Sequence, residues 1–180
     1  ASHALARMAW MQEARPDVWA RPAHVLLPRD WVLARLTGVL ASDPISSVGL
    51  VTPDFSYADA LIAHLDGAAS RLAPLADPLE VVGHVGRDWP FAGTPVVMGV
   101  MDAWASLFGL GVAAEGEAFY LSGTSEVLGI MSRQLFPQAG IITFPEWRGL
   151  RLHAAPTQSG GASLDWVARL VGRGLSEVAA

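Results

Sequence analysis

Two short polar segments interrupt the apolar middle of the chain, and their residue types are suited to chemistry. Asp102 ends the apolar run Pro95-Val-Val-Met-Gly-Val-Met101 and precedes a second run that continues to Ala114. Further along, Gly123-Thr-Ser125 forms a small-residue turn between two β-patterned segments. A positioned carboxylate can take a proton, and the backbone amides of such a turn can hold an anion. Together they predict a general base and a phosphate-binding turn, as phosphoryl transfer requires.

Two structural alternatives explain Asp102 without chemistry. The apolar stretch from Pro95 to Ala114 is long enough to span a bilayer. However, glycine and proline punctuate it and no basic cluster flanks it, so a buried parallel strand followed by a helix explains the composition better. Asp102 is also a suitable N-cap for a helix beginning near Ala103. Because a cap at a strand end can also act chemically, we expect its carboxylate to face an open crevice.

The composition favours an ordered globular protein and excludes several kinds of site. Hydrophobic residues make up 52% of the 180 residues and charged residues 16%. All 12 basic residues are arginine, which excludes a Walker-type or Schiff-base lysine. The absence of cysteine excludes disulfides, thiol nucleophiles and cysteine metal sites. A net charge of −5 without an arginine-rich stripe disfavours nucleic acid as a partner.

The histidines and the N-terminal segment carry little functional information. The 5 histidines are scattered without metal-ligand spacing, so no metal-ligating residue is predicted. The opening segment lacks a signal-peptide pattern, and we expect a cytoplasmic location without a membrane partner. It begins without methionine and directly on a helical pattern, which indicates a piece of a longer polypeptide.

The hydrophobic pattern changes character near residues 112–117. Before this point helical spacing dominates, with one helix predicted over Pro28–Gly38 and another starting at the capping-box-like Ser56–Asp59 and ending near Gly67. After it, alternation predicts a series of strands and then a helix. One strand is predicted before this point, at 80–86. The strands predicted after it lie at 118–121, 127–131, 141–144 and 150–153, and the last helix lies at 162–170. We therefore predict an α/β protein with a domain boundary at 112–117.

Several segments resemble, in order, the motifs of a known family. They are Leu26-Leu-Pro-Arg-Asp-Trp31, Arg35-Leu-Thr-Gly38, Ala41-Ser-Asp43, Gly93-Thr-Pro-Val-Val97 with Asp102, Gly109-Leu-Gly-Val112 and Leu121-Ser-Gly-Thr-Ser125. The first is similar to Leu-Leu-Pro-Lys-Asp-Tyr in the FGGY carbohydrate kinases, especially the xylulokinases. Ordered matches over nearly the whole chain are more specific than any single motif. The chain therefore resembles the FGGY carbohydrate kinases.

The resemblance implies a ribonuclease-H-like, actin-like ATPase fold, present only in part and spanning two domains. Residues 1–113 would be the latter part of an N-terminal sugar-binding domain, and residues 114–180 the beginning of a C-terminal ATP-binding domain. The implied activity is ATP-dependent phosphorylation of a sugar hydroxyl, on a xylulose-like pentulose or a related carbohydrate. The expected cofactors are ATP and Mg²⁺, and the expected partner is a small-molecule sugar, with a homodimer left open.

The resemblance also assigns site residues. Asp102 matches the catalytic base, and Gly123, Thr124 and Ser125 match a phosphate-binding turn. Most of the 7 tryptophans are expected in the core, but Trp104 follows the acid closely enough to contact the sugar together with Asp102.

The chain also departs from the xylulokinase pattern. Gly99-Val-Met-Asp-Ala103 stands where Gly-Gly-Gly-Asp-Asn is usual, and Ser46 stands in place of an acid. The Asp-x-Gly-Thr phosphate motif and the later adenine motif are not found, so we expect these 180 residues alone to be inactive. Gln158-Ser-Gly-Gly161 mimics the adenine motif but is predicted to be a closely packed helix N-terminus. The alternative function is a non-catalytic sugar-binding or regulatory module on the same scaffold.

Overall fold

The computed structural model describes residues 3–157 and 159–178. They form two compact units, the first ending at Ala105 and the second beginning at Ser106. The division between these units falls within a helix, Asp102–Gly109. The predicted boundary at residues 112–117 follows this helix, and as a statement about the domains of the complete protein it stays a prediction.

The first unit is mainly helical. Its elements in chain order are α1 (Ala4–Ala14), α2 (Pro16–Trp19), α3 (Pro28–Thr37), α4 (Asp59–Ile62), a 3₁₀ turn (Ala69–Arg71), β1 (Val81–His84) and β2 (Pro95–Val97). Helix α3 has Pro28 in its first turn and ends at Gly38, whose φ of 76° is left-handed. The Gly38 amide donates to the Ala34 carbonyl at 2.8 Å, which closes the last turn. The predicted helix over Pro28–Gly38 is confirmed.

Two apolar clusters hold the first unit together. The larger contains the buried residues Met8, Trp19, Leu50, Ile62, Leu65 and Ala68. The smaller contains Leu33, Ala41 and Met98, with Val82 and Val96 packed against it. Because Leu33 belongs to α3 and Met98 directly follows β2, the second cluster holds the end of that strand against α3.

The helix predicted from Ser56 to Gly67 is much shorter in the structure. Helix α4 covers only Asp59–Ile62, and no side chain caps it. The Ser56 hydroxyl instead hydrogen-bonds Thr52 Oγ1 at 2.8 Å and Asp54 Oδ1 at 3.1 Å. Serine and aspartate side chains that bond locally compete with helix formation, which explains why the predicted capping box is wrong.

The buried parallel strand predicted before Asp102 is also wrong. Strand β2 pairs antiparallel with β1, and only its central residue, Val96, is half-buried. Two backbone hydrogen bonds close the loop between the two strands. The Val85 amide donates to the Thr94 carbonyl at 2.9 Å, and the Gly93 amide donates to the Val85 carbonyl at 2.8 Å. An apolar run alone does not specify the direction of its partner strand.

The second unit is built on an antiparallel sheet. After α5 (Asp102–Gly109), its elements are β3 (Ala118–Ser122), β4 (Glu126–Ser132), β5 (Ile142–Thr143), β6 (Arg151–Pro156), α6 (Gly161–Leu170) and α7 (Leu175–Val178). The strand order is β3-β4-β6-β5. The four strands and the helix predicted for this half of the chain are confirmed, with small shifts of their ends.

His153 lies in the core of this sheet. It is buried, its Nδ1 lies 3.0 Å from Thr143 Oγ1, and its Nε2 lies 2.9 Å from the Gln134 carbonyl. Both ring nitrogens therefore have partners inside the unit, which agrees with a structural role. None of the helices in the described residues combines the length and the apolar character needed to cross a bilayer.

Candidate functional site

Asp102 is the first residue of α5, and its side chain is exposed. Its Oδ1 accepts the Ala103 amide at 2.8 Å, and none of the ion pairs among the described residues includes it. The segment Met98–Met101 separates it from β2, so Asp102 does not lie directly at a strand end as predicted. A helix N-terminus favours a negative charge at this position. The carboxylate is thus accessible and free of a competing cation in the described chain.

The loop that leads into Asp102 is fixed on two sides. The Met98 amide donates to the Glu80 carbonyl at 2.9 Å, and the Gly99 amide donates to the Pro78 carbonyl at 2.8 Å. From the other side, Arg29 Nη1 donates to the Met98 carbonyl at 3.0 Å. Gly99 has a φ of 70°, a conformation that favours glycine.

A buried charge cluster holds Arg29 in place. Its Nη2 donates to Asp30 Oδ1 at 2.8 Å and to Asp43 Oδ2 at 2.5 Å. Both carboxylates are buried, and the Ser46 amide donates to Asp43 Oδ1 at 2.8 Å. Sequence reasoning used Arg29 and Asp43 only as parts of a motif and missed this link to the Met98 loop. The two acids near Arg29 in the sequence signalled the charge cluster but not its bond to Met98.

Trp104 is fully buried, with 0% of its surface exposed. Only Ala103 separates it from Asp102, and positions two apart in a helix point to nearly opposite sides. Leu107, one turn further along α5, is also fully buried. The indole therefore belongs to the packed side of α5, and its burial opposes the predicted contact with a sugar.

Gly123, Thr124 and Ser125 form the turn of the β3–β4 hairpin, which the pair Ser122 and Glu126 closes. The turn is exposed. In residues 3–157 and 159–178, the backbone amides of the three turn residues donate to no other protein group. They remain available to an anion, as a phosphate-binding turn requires.

Two carbonyls of the turn accept hydrogen bonds from the start of α6. The Gly161 amide donates to the Gly123 carbonyl at 2.8 Å, and the Gly160 amide donates to the Thr124 carbonyl at 2.9 Å. A Cβ on Gly161 would lie 2.7 Å from the Gly123 carbonyl oxygen. The prediction that the paired glycines form a closely packed helix N-terminus is confirmed, although Gln158 lies outside the described residues.

Glu126 places a carboxylate beside the turn. Its hydrogen bond to the Tyr120 hydroxyl raises the pKa of Tyr120, and a bond from Ser122 acts in the opposite direction. A negative charge at this position repels a polyphosphate. The repulsion is weaker when a divalent cation neutralises part of the phosphate charge. No cluster of three or more potential metal ligands occurs in the described part of the chain.

The structure places these features in different units. Asp102 and Trp104 belong to the first unit, whereas Gly123, Thr124 and Ser125 belong to the second. Arg29, Asp30 and Asp43 share the first unit with Asp102.

The chain is similar in sequence to known carbohydrate kinases. No protein-family model matches the sequence. The chain is 29% identical over 176 residues to xylulose kinase of Escherichia coli strain K12, covering 92% of this chain and 36% of that protein. It is 32% identical over 152 residues to an autoinducer-2 kinase of Klebsiella pneumoniae, covering 79% of this chain and 29% of that protein. The chain is a homologue of the FGGY carbohydrate kinases.

Solved FGGY kinase structures have the same fold. A xylulose kinase from Brucella ovis aligns with a TM-score of 0.87 and 25% identity, covering 96% of this chain and 38% of that chain. The implied actin-like α/β fold, present in part, is thereby confirmed. The chain spans 36% of the length of the Escherichia coli FGGY relative.

Proposed function

We propose that the complete protein transfers the γ-phosphoryl group of ATP to a hydroxyl of a small carbohydrate, with Asp102 as the general base. The observation that carries this proposal is the exposed Asp102 carboxylate at the start of α5, on a loop bonded from two sides. Homology to sugar kinases over most of the chain supports it.

In the proposed reaction, Asp102 accepts the proton of the acceptor hydroxyl as that oxygen bonds to the γ-phosphorus. The bond between the γ-phosphorus and the bridging oxygen breaks, and ADP leaves with that oxygen. Because phosphoryl transfer depends mainly on positioning and electrostatics, one well-placed carboxylate is sufficient as the proton acceptor.

The proposed nucleotide contact of this chain is the turn of Gly123, Thr124 and Ser125. Its amides provide donors to phosphate oxygens without a lysine, and its carbonyls already bond to α6. Mg²⁺ bound to the nucleotide would offset the Glu126 charge and the phosphate charges.

The acceptor is proposed to be a small polyhydroxylated compound, with a xylulose-like pentulose first. The relatives include a xylulose kinase and an autoinducer-2 kinase, and a gluconate kinase shares the fold with a TM-score of 0.82. This range shows that one scaffold carries kinases for different acceptors, so the acceptor must be determined by assay.

The alternative is a sugar-binding or regulatory module without phosphoryl transfer. The observation that favours it is that Glu126 flanks the proposed phosphate-binding turn, where its carboxylate would oppose a polyanion. Binding of a sugar without any ATP-dependent product would support this alternative.

The deciding experiment uses the complete protein with ATP and Mg²⁺ against pentuloses, polyols and aldonates. ADP release and the phosphorylated product are both measured, so that idle ATP hydrolysis is distinguished from transfer. We expect a stoichiometric sugar phosphate with at least one acceptor. ADP release without product from any acceptor, or no nucleotide binding at all, would contradict the proposal.

A further inference from the structure

The Arg29 cluster, defined as Arg29, Asp30 and Asp43, connects helix α3 to the loop that leads into Asp102. Asp30 and Asp43 are 1% and 0% exposed, so their charges lie almost entirely away from water. Buried carboxylates need a cation or several hydrogen bonds, and Arg29 supplies the cation for both. Neutralising these acids uses only Nη2 of the guanidinium.

The second guanidinium nitrogen, Nη1, makes a hydrogen bond that is not needed to neutralise the two acids. Nη1 donates to the Met98 carbonyl at 3.0 Å, at the first residue after β2. The Gly99 α-carbon lies beside the same group, since a Cβ there would be 3.8 Å from Arg29 Nη1. The planar fork of arginine thus joins a buried acid pair to one backbone carbonyl in a fixed geometry.

From this arrangement we infer that Arg29 is a positioning residue for Asp102. This inference rests on the proposed role of Asp102 as the base. Arg29 fixes the Met98 carbonyl, the short segment Met98–Met101 transmits that position, and α5 begins at Asp102. Loss of the bond frees one side of the loop and displaces the carboxylate from the acceptor hydroxyl.

A purely structural role for Arg29 makes a different prediction. If the arginine only neutralises Asp30 and Asp43, removing both acid charges together with the cation restores stability and activity alike. If it positions Asp102, the same triple change restores stability while kcat stays low, because the bond to the Met98 carbonyl is still missing.

The test compares Arg29→Met/Asp30→Asn/Asp43→Asn with Arg29→Lys in the complete protein. The triple variant removes the cation and both acid charges, and we expect kcat to fall about 10- to 100-fold with KM values for sugar and ATP within a few-fold. Lysine keeps the cation and a donor for the Met98 carbonyl but lacks the planar fork, so Arg29→Lys is expected to retain more of kcat than the triple variant and less than the unmodified protein.

A matched control is available in the other apolar cluster of the same unit. Arg71 Nη1 donates to the Trp19 carbonyl at 2.8 Å, and the guanidinium lies 4.7 Å from the Trp19 ring centroid. Arg71→Met therefore removes an arginine-carbonyl bond that has no link to Asp102. Its midpoint of thermal unfolding should fall, but kcat of the folded protein should not change.

Gly99→Ala keeps the inference testable if the triple variant does not fold. The methyl group meets no atom closer than 3.8 Å, but the φ of 70° is unfavourable for alanine, so the loop must shift. We expect a lower kcat with little change in KM. The inference is overturned if the folded triple variant, or in its absence Gly99→Ala, keeps kcat within twofold while Asp102→Asn abolishes turnover. If Asp102→Asn itself is silent, the proposed function fails first.

Discussion

Gly160 lies directly against the side chain of Glu126. A Cβ at position 160 would stand 2.2 Å from Glu126 Cγ and 2.5 Å from Cδ, so any other residue there requires the Glu126 side chain or the backbone to shift. The Gly160 amide also donates to the Thr124 carbonyl at 2.9 Å. The start of α6, the turn of Gly123, Thr124 and Ser125, and the Glu126 side chain are therefore in direct contact with one another.

Gly160→Ala is expected to destabilise the complete protein by about 1 to 3 kcal/mol, since the added methyl must displace Glu126 or the helix start. Gly109→Ala is the control, because a Cβ there meets nothing within 4 Å. Urea unfolding monitored by fluorescence and circular dichroism gives both values. Equal free energies of unfolding for the two variants would show that the contact between Gly160 and Glu126 contributes nothing to stability.

Glu126→Gln should tighten binding of free ATP by about three- to tenfold and binding of Mg-ATP by less, because the free nucleotide carries more negative charge. Titration calorimetry of the complete protein with and without Mg²⁺ measures both. Glu13→Gln, an exposed acid of α1, is the control and should change neither. A parallel change in both affinities would mean that Glu126 acts through the structure of the turn and not through its charge.

Burial, and secondarily the charge of Asp30, raises the pKa of Tyr57 to about 12. The folded protein therefore keeps this proton while the unfolded chain loses it above pH 10, the ordinary tyrosine value. The stabilising contribution is complete below pH 10 and is lost as the pH rises towards 12. Tyr57→Phe should flatten the decrease in stability over this interval.

Absorbance titration of tyrosinate can verify this assignment, because the chain has only 2 tyrosines. In Tyr120→Phe the remaining Tyr57 should titrate near 12 while the protein is folded. Titration of Tyr57 close to 10 would show that its hydroxyl, which donates to the Ala73 carbonyl at 2.6 Å, is open to water.

The sequence pattern correctly predicted the helices and strands that are determined by neighbouring residues in the chain. Proline and glycine at the ends of α3, and the alternation in β3, β4 and β6, determine conformation through nearby residues. The paired glycines before α6 were predicted to pack closely for the same kind of reason. The fold family followed from ordered motifs and not from these patterns.

Features that depend on distant partners could not be predicted. The antiparallel partner of β2 is β1, and an apolar run carries no information about that direction. Trp104 follows Asp102 closely in sequence, but the helix turns it to the packed side. The bond from Arg29 to Met98 joins residues far apart in the chain, so no local pattern reports it.

The central claim is that Asp102 takes the acceptor proton, and Asp102→Asn in the complete protein tests it most directly. Asparagine keeps the size of the side chain but cannot act as the base, so kcat should fall by about 10² to 10⁴ while KM values change only a few-fold. Asp88→Asn, another exposed acid of the first unit, is the control and should leave kcat unchanged. Near wild-type kcat in Asp102→Asn, with turnover abolished by changes at Gly123 or Thr124, would contradict the account and leave Asp102 as a helix cap.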